Sequence, residues 1–362
     1  MAISLNPTKV PLSDSAREAI LVEPGFGKYF TDHMVTATWS SSRGWSELRL
    51  TPYGPLSLDP ATMVLHYGQE IFEGLKAYRQ PDGGIALFRP EQNAKRFARS
   101  ATRLALPALP EELFLESVRA LVSQDRNWVP IRADESLYLR PMMIATEVGL
   151  GVRPSTKAEF ILIASPAGTY FKGGVRPVTV WISTEYVRAA PGGTGEAKCG
   201  GNYAGSLIAQ QSAAAEGCEQ VVWLDAVRRE YVEEMGGMNL YFVMGSGPGA
   251  RVVTPKLTGT LLAGITRDSL LTLASDLGYQ VEEISITADE WRKGVVDGEI
   301  TEVFACGTAA VITPVGAVKS STGHWTHGSG ESGPIALELR EALLGIQSGN
   351  RPDVHGWMER VV

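Results

Sequence analysis

A single lysine, Lys198, stands among six glycines in the stretch Gly192-Gly193-Thr194-Gly195-Glu196-Ala197-Lys198-Cys199-Gly200-Gly201-Asn202-Tyr203-Ala204-Gly205. Glycine admits positive φ and lets main chain approach another group closely, so this amine is carried by a tight, shaped loop rather than a helix face. A lysine becomes a nucleophile when desolvation favours its neutral amine, which can attack a carbonyl and form a Schiff base. The same composition also reads as a flexible surface loop with a solvated lysine, the commoner meaning of glycine-rich segments. A helix is expected to follow at once, with Asn202 as its cap, Leu207 and Ile208 on one side and Gly217 after Glu216 as its end.

The chain around this loop alternates strands, turns and helices, which predicts a mixed α/β protein. Strand-like runs are Met34–Trp39, Arg49–Pro52, Ile71–Tyr78 and Ile85–Phe88, with Gln80-Pro81-Asp82-Gly83-Gly84 as a hairpin turn. Pro90 opens a helix whose Phe97, Ala101 and Leu104 recur at core spacing. Arg96, Arg99 and Arg103 run along another side of it, which is a solvated face unless an anion sits beside Arg96. A second helix is expected over 111–128. In Leu137-Tyr138-Leu139-Arg140, alternation puts Tyr138 and Arg140 on one face, suited to a carboxylate pocket or equally to a surface with a snorkelling arginine. Pro141 suggests a strand end or an edge.

Phe160–Ala164 is a buried strand, and the Gly- and Pro-rich segment after it is the best linker. At 362 residues the chain is long enough for two cores. The expected division is 1–167, a loop over 168–178, and 179–362. Beyond the lysine loop, Val221–Leu224, Tyr231–Glu234 and Met238–Val243 form a meander, with a glycine-marked kink beside Glu234. Gly264 precedes a helix and leaves room for an anion at the N–H groups of Ile265 and Thr266. The small-residue turn Gly307-Thr308-Ala309 after a strand is a second place where N–H groups can face a ligand. Ser320–Gly333 reads as a loop and Ile335–Gly345 as a terminal helix.

Charge and sulfur narrow the function. A net charge of −7 argues against nucleic-acid binding as the main role. No apolar run is long enough to cross a bilayer, and residues 1–7 carry no leader pattern. The three cysteines, Cys199, Cys218 and Cys306, form no CxxC pair, and the five histidines form no HxH or HxxxH pair. A cytoplasmic protein without a structural metal is expected.

Together the features match what a pyridoxal phosphate site requires: a lysine for the aldehyde, an acid for the pyridine nitrogen, and helix N-terminal amides with an arginine for the phosphate. Lys198, Glu234, Ile265, Thr266 and Arg96 can supply these. The chain also closely resembles the branched-chain amino-acid aminotransferases of pyridoxal phosphate fold type IV, and within them the bacterial members similar to the mammalian type. The resemblance covers nearly the whole chain. It rests on His66-Tyr67, Phe72-Glu73-Gly74, Leu87-Phe88-Arg89-Pro90, Lys198-Cys199-Gly200-Gly201-Asn202-Tyr203, Glu234-Met235-Gly236-Gly237-Met238-Asn239 and Gly307-Thr308-Ala309.

That resemblance implies a smaller N-terminal α/β domain and a larger C-terminal domain, a pseudo-barrel of strands flanked by helices. It implies that Lys198 carries the cofactor and shuttles the substrate proton, that Glu234 bonds the pyridine nitrogen, and that Tyr203 bonds the 3′ oxygen. Arg96, Gly264, Ile265, Thr266 and Thr308 would hold the phosphate. Tyr67, Thr308 and Ala309 would hold the substrate α-carboxylate. Phe26, Phe72, Tyr138 and Tyr170 would wall an apolar side-chain pocket floored at Gly237, with Arg140 accepting the second carboxylate of glutamate. Partners would be amino acids, 2-oxo acids and a second copy of the chain, whose Leu150 and Val152 close the pocket. Two departures from the mammalian pattern stand out. Ala310 and Thr313 occupy the positions of a redox CxxC, so no thiol switch is expected there, and Gly237 replaces a threonine. Other chemistries on this fold, D-amino-acid transamination or aminodeoxychorismate cleavage, are the competing expectations.

Overall fold

The computed structural model describes residues 3–132, 134–168 and 175–362. They divide into two compact units: Met1–Tyr170 with Ala197–Gly200 and Gly345–Val362, and Phe171–Glu196 with Gly201–Leu344. The division is thus not one cut along the chain. Of the expected loop 168–178, residues 169–174 lie outside the described residues, Tyr170 among them.

The first unit is built on a ten-stranded sheet among the described residues. Its spine is the antiparallel pair Ser136–Ala145 and Lys157–Ala167, in register from Ser136 opposite Ala167 to Ala145 opposite Ala158. His33–Ser40 flanks the second of these strands. On the other side, Ser136–Ala145 pairs first with Leu75–Arg79 and then with Glu70–Phe72. Pro141 therefore lies inside a ten-residue strand, against the expectation of a strand end. It is tolerated because it falls where the partner changes: Leu139 is opposite Leu75 and Met142 opposite Phe72, so the missing N–H is not needed there. Its carbonyl accepts from the Glu73 N–H at 2.7 Å.

Helices Pro90–Arg103 and Glu111–Gln124 pack with this sheet. Phe97 of the first and Phe114 of the second meet at a 5.5 Å ring separation, and both meet Phe160 of the sheet. The helix expected over 111–128 ends at Gln124 and passes into a 3-10 turn, Arg126–Trp128. At the chain's end Met358–Arg360 adds an antiparallel strand to Ile85–Phe88, a pairing too short to leave a sequence signal.

The second unit holds a closed barrel of six strands. In order around it run Val232–Met235, Gln220–Leu224, Val178–Ser183, Val311–Ser320, Ile300–Gly307 and Met238–Met244, which returns to Val232–Met235. Val178–Ser183 is parallel to both its neighbours; the other pairs are antiparallel. Closure removes the edges that an open sheet would leave unpaired. Arg251–Pro255 and Gln280–Ile284 extend it from Met238–Met244. Barrel residues such as Leu240, Phe242 and Ala305 share a core with Trp291 of helix Ala288–Val296. That helix opens on a Thr287/Glu290 capping box.

Two sequence expectations fail here. The single helix expected after the lysine loop is two, Gly200–Ala204 and Leu207–Ala215, and the buried residues of the second are Ala209 and Ala213, while Leu207 and Ile208 are exposed. Asn202 lies within the first helix and clamps the loop instead: its Nδ2 donates to the Thr194 carbonyl at 2.8 Å and its Oδ1 accepts from the Thr194 hydroxyl at 2.7 Å. The expected loop Ser320–Gly333 contains a short strand, Gly323–Thr326, folded back on Val311–Ser320.

Candidate active site

In the first unit the neighbours of Lys198 alternate inward. Ala197 and Cys199 belong to the hydrophobic core and are almost fully buried, which leaves the lysine side chain half-buried between them. The peptide is fixed on both sides. The Lys198 N–H donates to Ser100 Oγ at 3.0 Å and its carbonyl accepts from the Phe72 N–H at 2.9 Å. Two residues on, the Gly200 N–H donates to Glu70 Oε1. A Cβ at position 200 would collide with that carboxylate. This loop is therefore pinned, not flexible, and Lys198 Nζ stands 4.6 Å from the centre of the Phe72 ring.

Around this amine lie other residues named from the sequence. The Arg140 guanidinium lies 4.8 Å from the Phe72 ring centre and 5.2 Å from that of Tyr138, and donates to the Tyr138 hydroxyl at 2.9 Å. The rings of Phe26 and Tyr138 meet in a T-shaped arrangement with their centres 5.0 Å apart. Gly74 is required by this arrangement, because a Cβ there would overlap the Tyr138 hydroxyl. Tyr67 makes a separate contact: its hydroxyl donates to the Leu150 carbonyl. Leu150 and Val152 are 64% and 83% exposed in the single chain, large apolar side chains turned to solvent.

Arg96 is buried and bound twice by one carboxylate, Nε to Glu73 Oε1 at 2.6 Å and Nη2 to Oε2 at 3.0 Å. Asn93 and the Gly74 N–H complete the hold on Glu73, which is fully buried. Burial by itself raises the Glu73 carboxyl. The charges of Arg96 and Lys198, with hydrogen bonds from Arg96 and Asn93, outweigh it and leave the carboxyl below its ordinary value. The sequence shows Glu73 within a motif but gives no sign of this role. An acid in the short link between strands Glu70–Phe72 and Leu75–Arg79, with an arginine on a helix two strands further on, carries no recognisable spacing.

In the second unit Glu234 is 1% exposed. Its Oε1 accepts from the Leu262 N–H at 2.6 Å, and its Oε2 meets Arg188 Nε at 2.8 Å. Arg188 in turn donates to the Thr260 and Gly195 carbonyls. The sequence marks out neither Arg188 nor the role of Asn239, which bridges Glu234 and the Leu262 carbonyl. Gly236, at φ 57°, turns the chain between Glu234 and Asn239, which face each other across the hairpin.

The same hairpin explains Gly237: a Cβ there would sit 3.1 Å from Tyr203 Cε1, so the glycine makes room for that ring. Asn239 lies opposite Cys306, so the strand pair leads from Glu234 to the turn that holds Thr308 and Ala309. Cys306 is buried, and its thiol is pushed well above the ordinary range by that burial. Gly264 precedes helix Ile265–Asp276, where no side chain caps the first turn, so the Ile265 and Thr266 N–H groups stand at its positive end. A side chain at Gly264 would strike Asn239 Oδ1.

Each unit by itself fits part of pyridoxal 5′-phosphate. The first offers a pinned amine and a buried arginine. The second offers a buried carboxylate that can accept from a ring nitrogen, a phenol whose ring lies against Gly237 on the same hairpin, and a helix N-terminus without a side-chain cap whose glycine approach suits a phosphate. Among the described residues no group of three or more His, Cys, Asp or Glu could hold a metal ion, and no helix is long and apolar enough to cross a membrane.

Known proteins share this arrangement of sequence and fold. Residues 70–318 match the family model for amino-transferase class IV. A probable branched-chain-amino-acid aminotransferase of Streptomyces coelicolor is 61% identical over 357 residues, covering 98% of each chain. The branched-chain-amino-acid aminotransferase of Mycolicibacterium smegmatis is 63% identical over 352 residues, covering 97% of this chain and 96% of that one. Among solved structures, a T.th. branched-chain amino acid aminotransferase with pyridoxamine 5′-phosphate is 33% identical at a TM-score of 0.71, covering 90% of this chain and 98% of the other.

Proposed function

The chain belongs to the class IV aminotransferases, and from that premise we propose that it is a branched-chain amino-acid aminotransferase. It exchanges the amino group of L-leucine, L-isoleucine or L-valine with 2-oxoglutarate, giving the branched 2-oxo acids and L-glutamate. The observation that carries this reading is Lys198, fixed by its own backbone with its amine over Phe72 and next to a rigid arginine–carboxylate pair. The identity of 61% over 98% of the chain to a relative of that name supports the substrate class over the other chemistries known on this fold.

Pyridoxal 5′-phosphate, when bound, withdraws electrons from the substrate Cα so that its proton becomes labile. The chain's own residues do the rest. Lys198 would hold the cofactor through its amine and would take the substrate Cα proton on Nζ. Glu234, oriented by Arg188 and the Leu262 N–H, accepts from the pyridine nitrogen. Tyr203 donates to the 3′ oxygen. Arg96, the N–H groups of Ile265 and Thr266, and Thr308 hold the phosphate, with Glu73 fixing the plane of the Arg96 guanidinium.

Phe26, Phe72 and Tyr138 form an apolar wall for leucine-like side chains. Arg140, screened by Tyr138 and Phe72, meets the second carboxylate of glutamate, so one pocket serves both substrates in turn. Tyr67, Thr308 and Ala309 take the α-carboxylate. The enzyme acts as a homodimer in which the exposed Leu150 and Val152 cover the partner's pocket, and it works in the cytoplasm.

The test is borohydride reduction of the holoenzyme with peptide mapping, beside a panel of amino donors against 2-oxoglutarate. A pyridoxyl tag on Lys198, and turnover with leucine, isoleucine and valine, are expected. A tag on another lysine, or turnover with a D-amino acid and none with these three, would overturn the reading.

A further inference from the structure

We propose that the second unit carries a second small-molecule site, in the cavity floored by Glu233, which binds an alkylammonium group on a short apolar chain. The cavity has a volume of about 250 Å³ and lies on strand Val232–Met235 and the segments 225–231, 255–261 and 284–285. That exceeds the roughly 150 Å³ of an apolar cavity that takes benzene and falls below the roughly 300 Å³ at which drug-sized pockets begin. Val232, Pro255, Leu261 and Ile284 supply apolar walls.

Glu233 is the buried carboxylate of this cavity; Asp225 also lines it, but its oxygens already accept from the N–H groups of Val227, Arg228, Glu230 and Tyr231. Successive side chains leave a strand on opposite faces, so Glu233 points away from Glu234 and plays no part in the site assigned above. It is 5% exposed. Its Oε1 accepts from the Thr260 hydroxyl, while its Oε2 is buried with no hydrogen-bond partner among the described residues. A buried acceptor left without a donor is costly, and more so when the group is charged. A ligand that brings a donor relieves that cost. An ammonium brings both the donor and the opposite charge, and the apolar walls then require an alkyl body. Burial raises the Glu233 carboxyl above its ordinary value, the mark of a carboxylate short of compensation.

The exposed Lys256 and Arg228 also line the cavity, so a ligand bearing a carboxylate beside its amine finds a counter-charge there. An apolar α-amino acid and a plain alkylamine therefore share the chemistry that the cavity recognises. Occupancy has a route to Glu234 within the same unit. Thr260, which holds Glu233 through its hydroxyl, accepts from Arg188 through its carbonyl at 2.8 Å, and Leu262 two residues on holds Glu234.

The experiment uses holoenzyme reduced with borohydride, so that amines no longer react at Lys198. Calorimetric titration with 3-methylbutylamine, L-leucine and 4-methylpentanoate is run on this protein and on Glu233→Gln and Ser285→Trp. Expected are saturable binding of 3-methylbutylamine at one site per chain, a tenfold or greater loss in both variants, and no binding of 4-methylpentanoate that responds to them. L-Leucine binding that also responds to both variants marks the natural ligand as an amino acid; amine binding alone marks it as a plain amine. Absence of amine binding, or affinities within twofold of the parent in both variants, overturns the proposal. Ser285 is exposed on the cavity wall, so its variant keeps the test decisive should Glu233→Gln fail to fold. Failure of the reduction itself, read from the mass, counts against the proposed transamination and not against this cavity.

Discussion

Replacing Glu73 by glutamine isolates the pair that holds Arg96. The carboxylate is fully buried and receives Arg96 at 2.6 and 3.0 Å, Asn93 at 2.8 Å and the Gly74 N–H at 3.0 Å. Glutamine keeps the shape but removes the charge and turns one acceptor into a donor that faces Arg96 or Asn93. Breaking one side of a buried ion pair costs about 3–5 kcal/mol, because the other charge stays buried without compensation. For a unit of this size, roughly 2–4 °C of melting temperature accompany each kcal/mol, so a drop of about 6–20 °C is expected in cofactor-free protein.

A Glu73→Leu/Arg96→Met double variant separates stability from function. Two apolar side chains of similar volume relieve the uncompensated charge, so the double variant melts above Glu73→Gln. It is expected not to recover pyridoxal 5′-phosphate affinity, because the proposed phosphate ligand Arg96 is gone. Scanning calorimetry and equilibrium dialysis of the cofactor read the two quantities. A Glu73→Gln protein that melts within about 2 °C of the parent, less than one kcal/mol on the same scale, with unchanged cofactor affinity would refute the reasoning.

Three further outcomes follow from the geometry. His327 is 4% exposed, and burial lowers its pKa to about 4, so the fold favours the neutral ring. The associated stability is complete above the unfolded value near 6.5 and is lost as pH falls from there through about 4, a change of about 3 kcal/mol; denaturant titrations of His327→Phe should show that part of the acid slope removed. Gly74→Ala pushes a Cβ into the Tyr138 hydroxyl and disturbs its bond to Arg140, which should raise KM for 2-oxoglutarate about tenfold and KM for leucine much less, the cost of overpacking being about 1–3 kcal/mol. Arg188→Met leaves Glu234 buried beside an apolar neighbour, and cofactor affinity should fall at least about a hundredfold, consistent with the same roughly 3–5 kcal/mol as at Glu73.

What could be read from the sequence follows a physical divide. The strand at 85–88, the centre at 160–164 of the strand Lys157–Ala167 and the helix at Pro90 declare themselves through local pattern: β-branched or apolar runs, a proline at the first turn, core residues at helical spacing. Glycine-marked sites are equally visible. Lys198, Glu234 and the helix start at Gly264 each sit where a backbone must come close to something, and the collisions that a Cβ would make at positions 200 and 264, with the crowding it would cause at 237, give the reason. The resemblance then supplies roles that spacing alone leaves open.

The supporting residues are hidden because their meaning is a matter of pairing across the fold. Arg188 and Glu234 are 46 positions apart and Glu73 and Arg96 are 23 apart. Nothing local distinguishes Arg96 from Arg99 and Arg103 on the same helix, although Arg96 is buried against a fully buried carboxylate. The misread helix after Lys198 has the same origin: Leu207 and Ile208 look like a core stripe, but the two alanines 209 and 213 are the residues that face the barrel strand Gln220–Leu224. Small side chains let the helix approach that strand closely, and the large apolar pair is left exposed in the single chain. Exposed Leu207 and Ile208 on one unit, and exposed Leu150 and Val152 on the other, are a cost that a lone chain would bear in water, and a second copy is the partner that the homodimer proposal offers to cover such surface. Sedimentation of the purified enzyme as a stable monomer at micromolar concentration, with full activity, would remove that explanation and leave the four side chains without one.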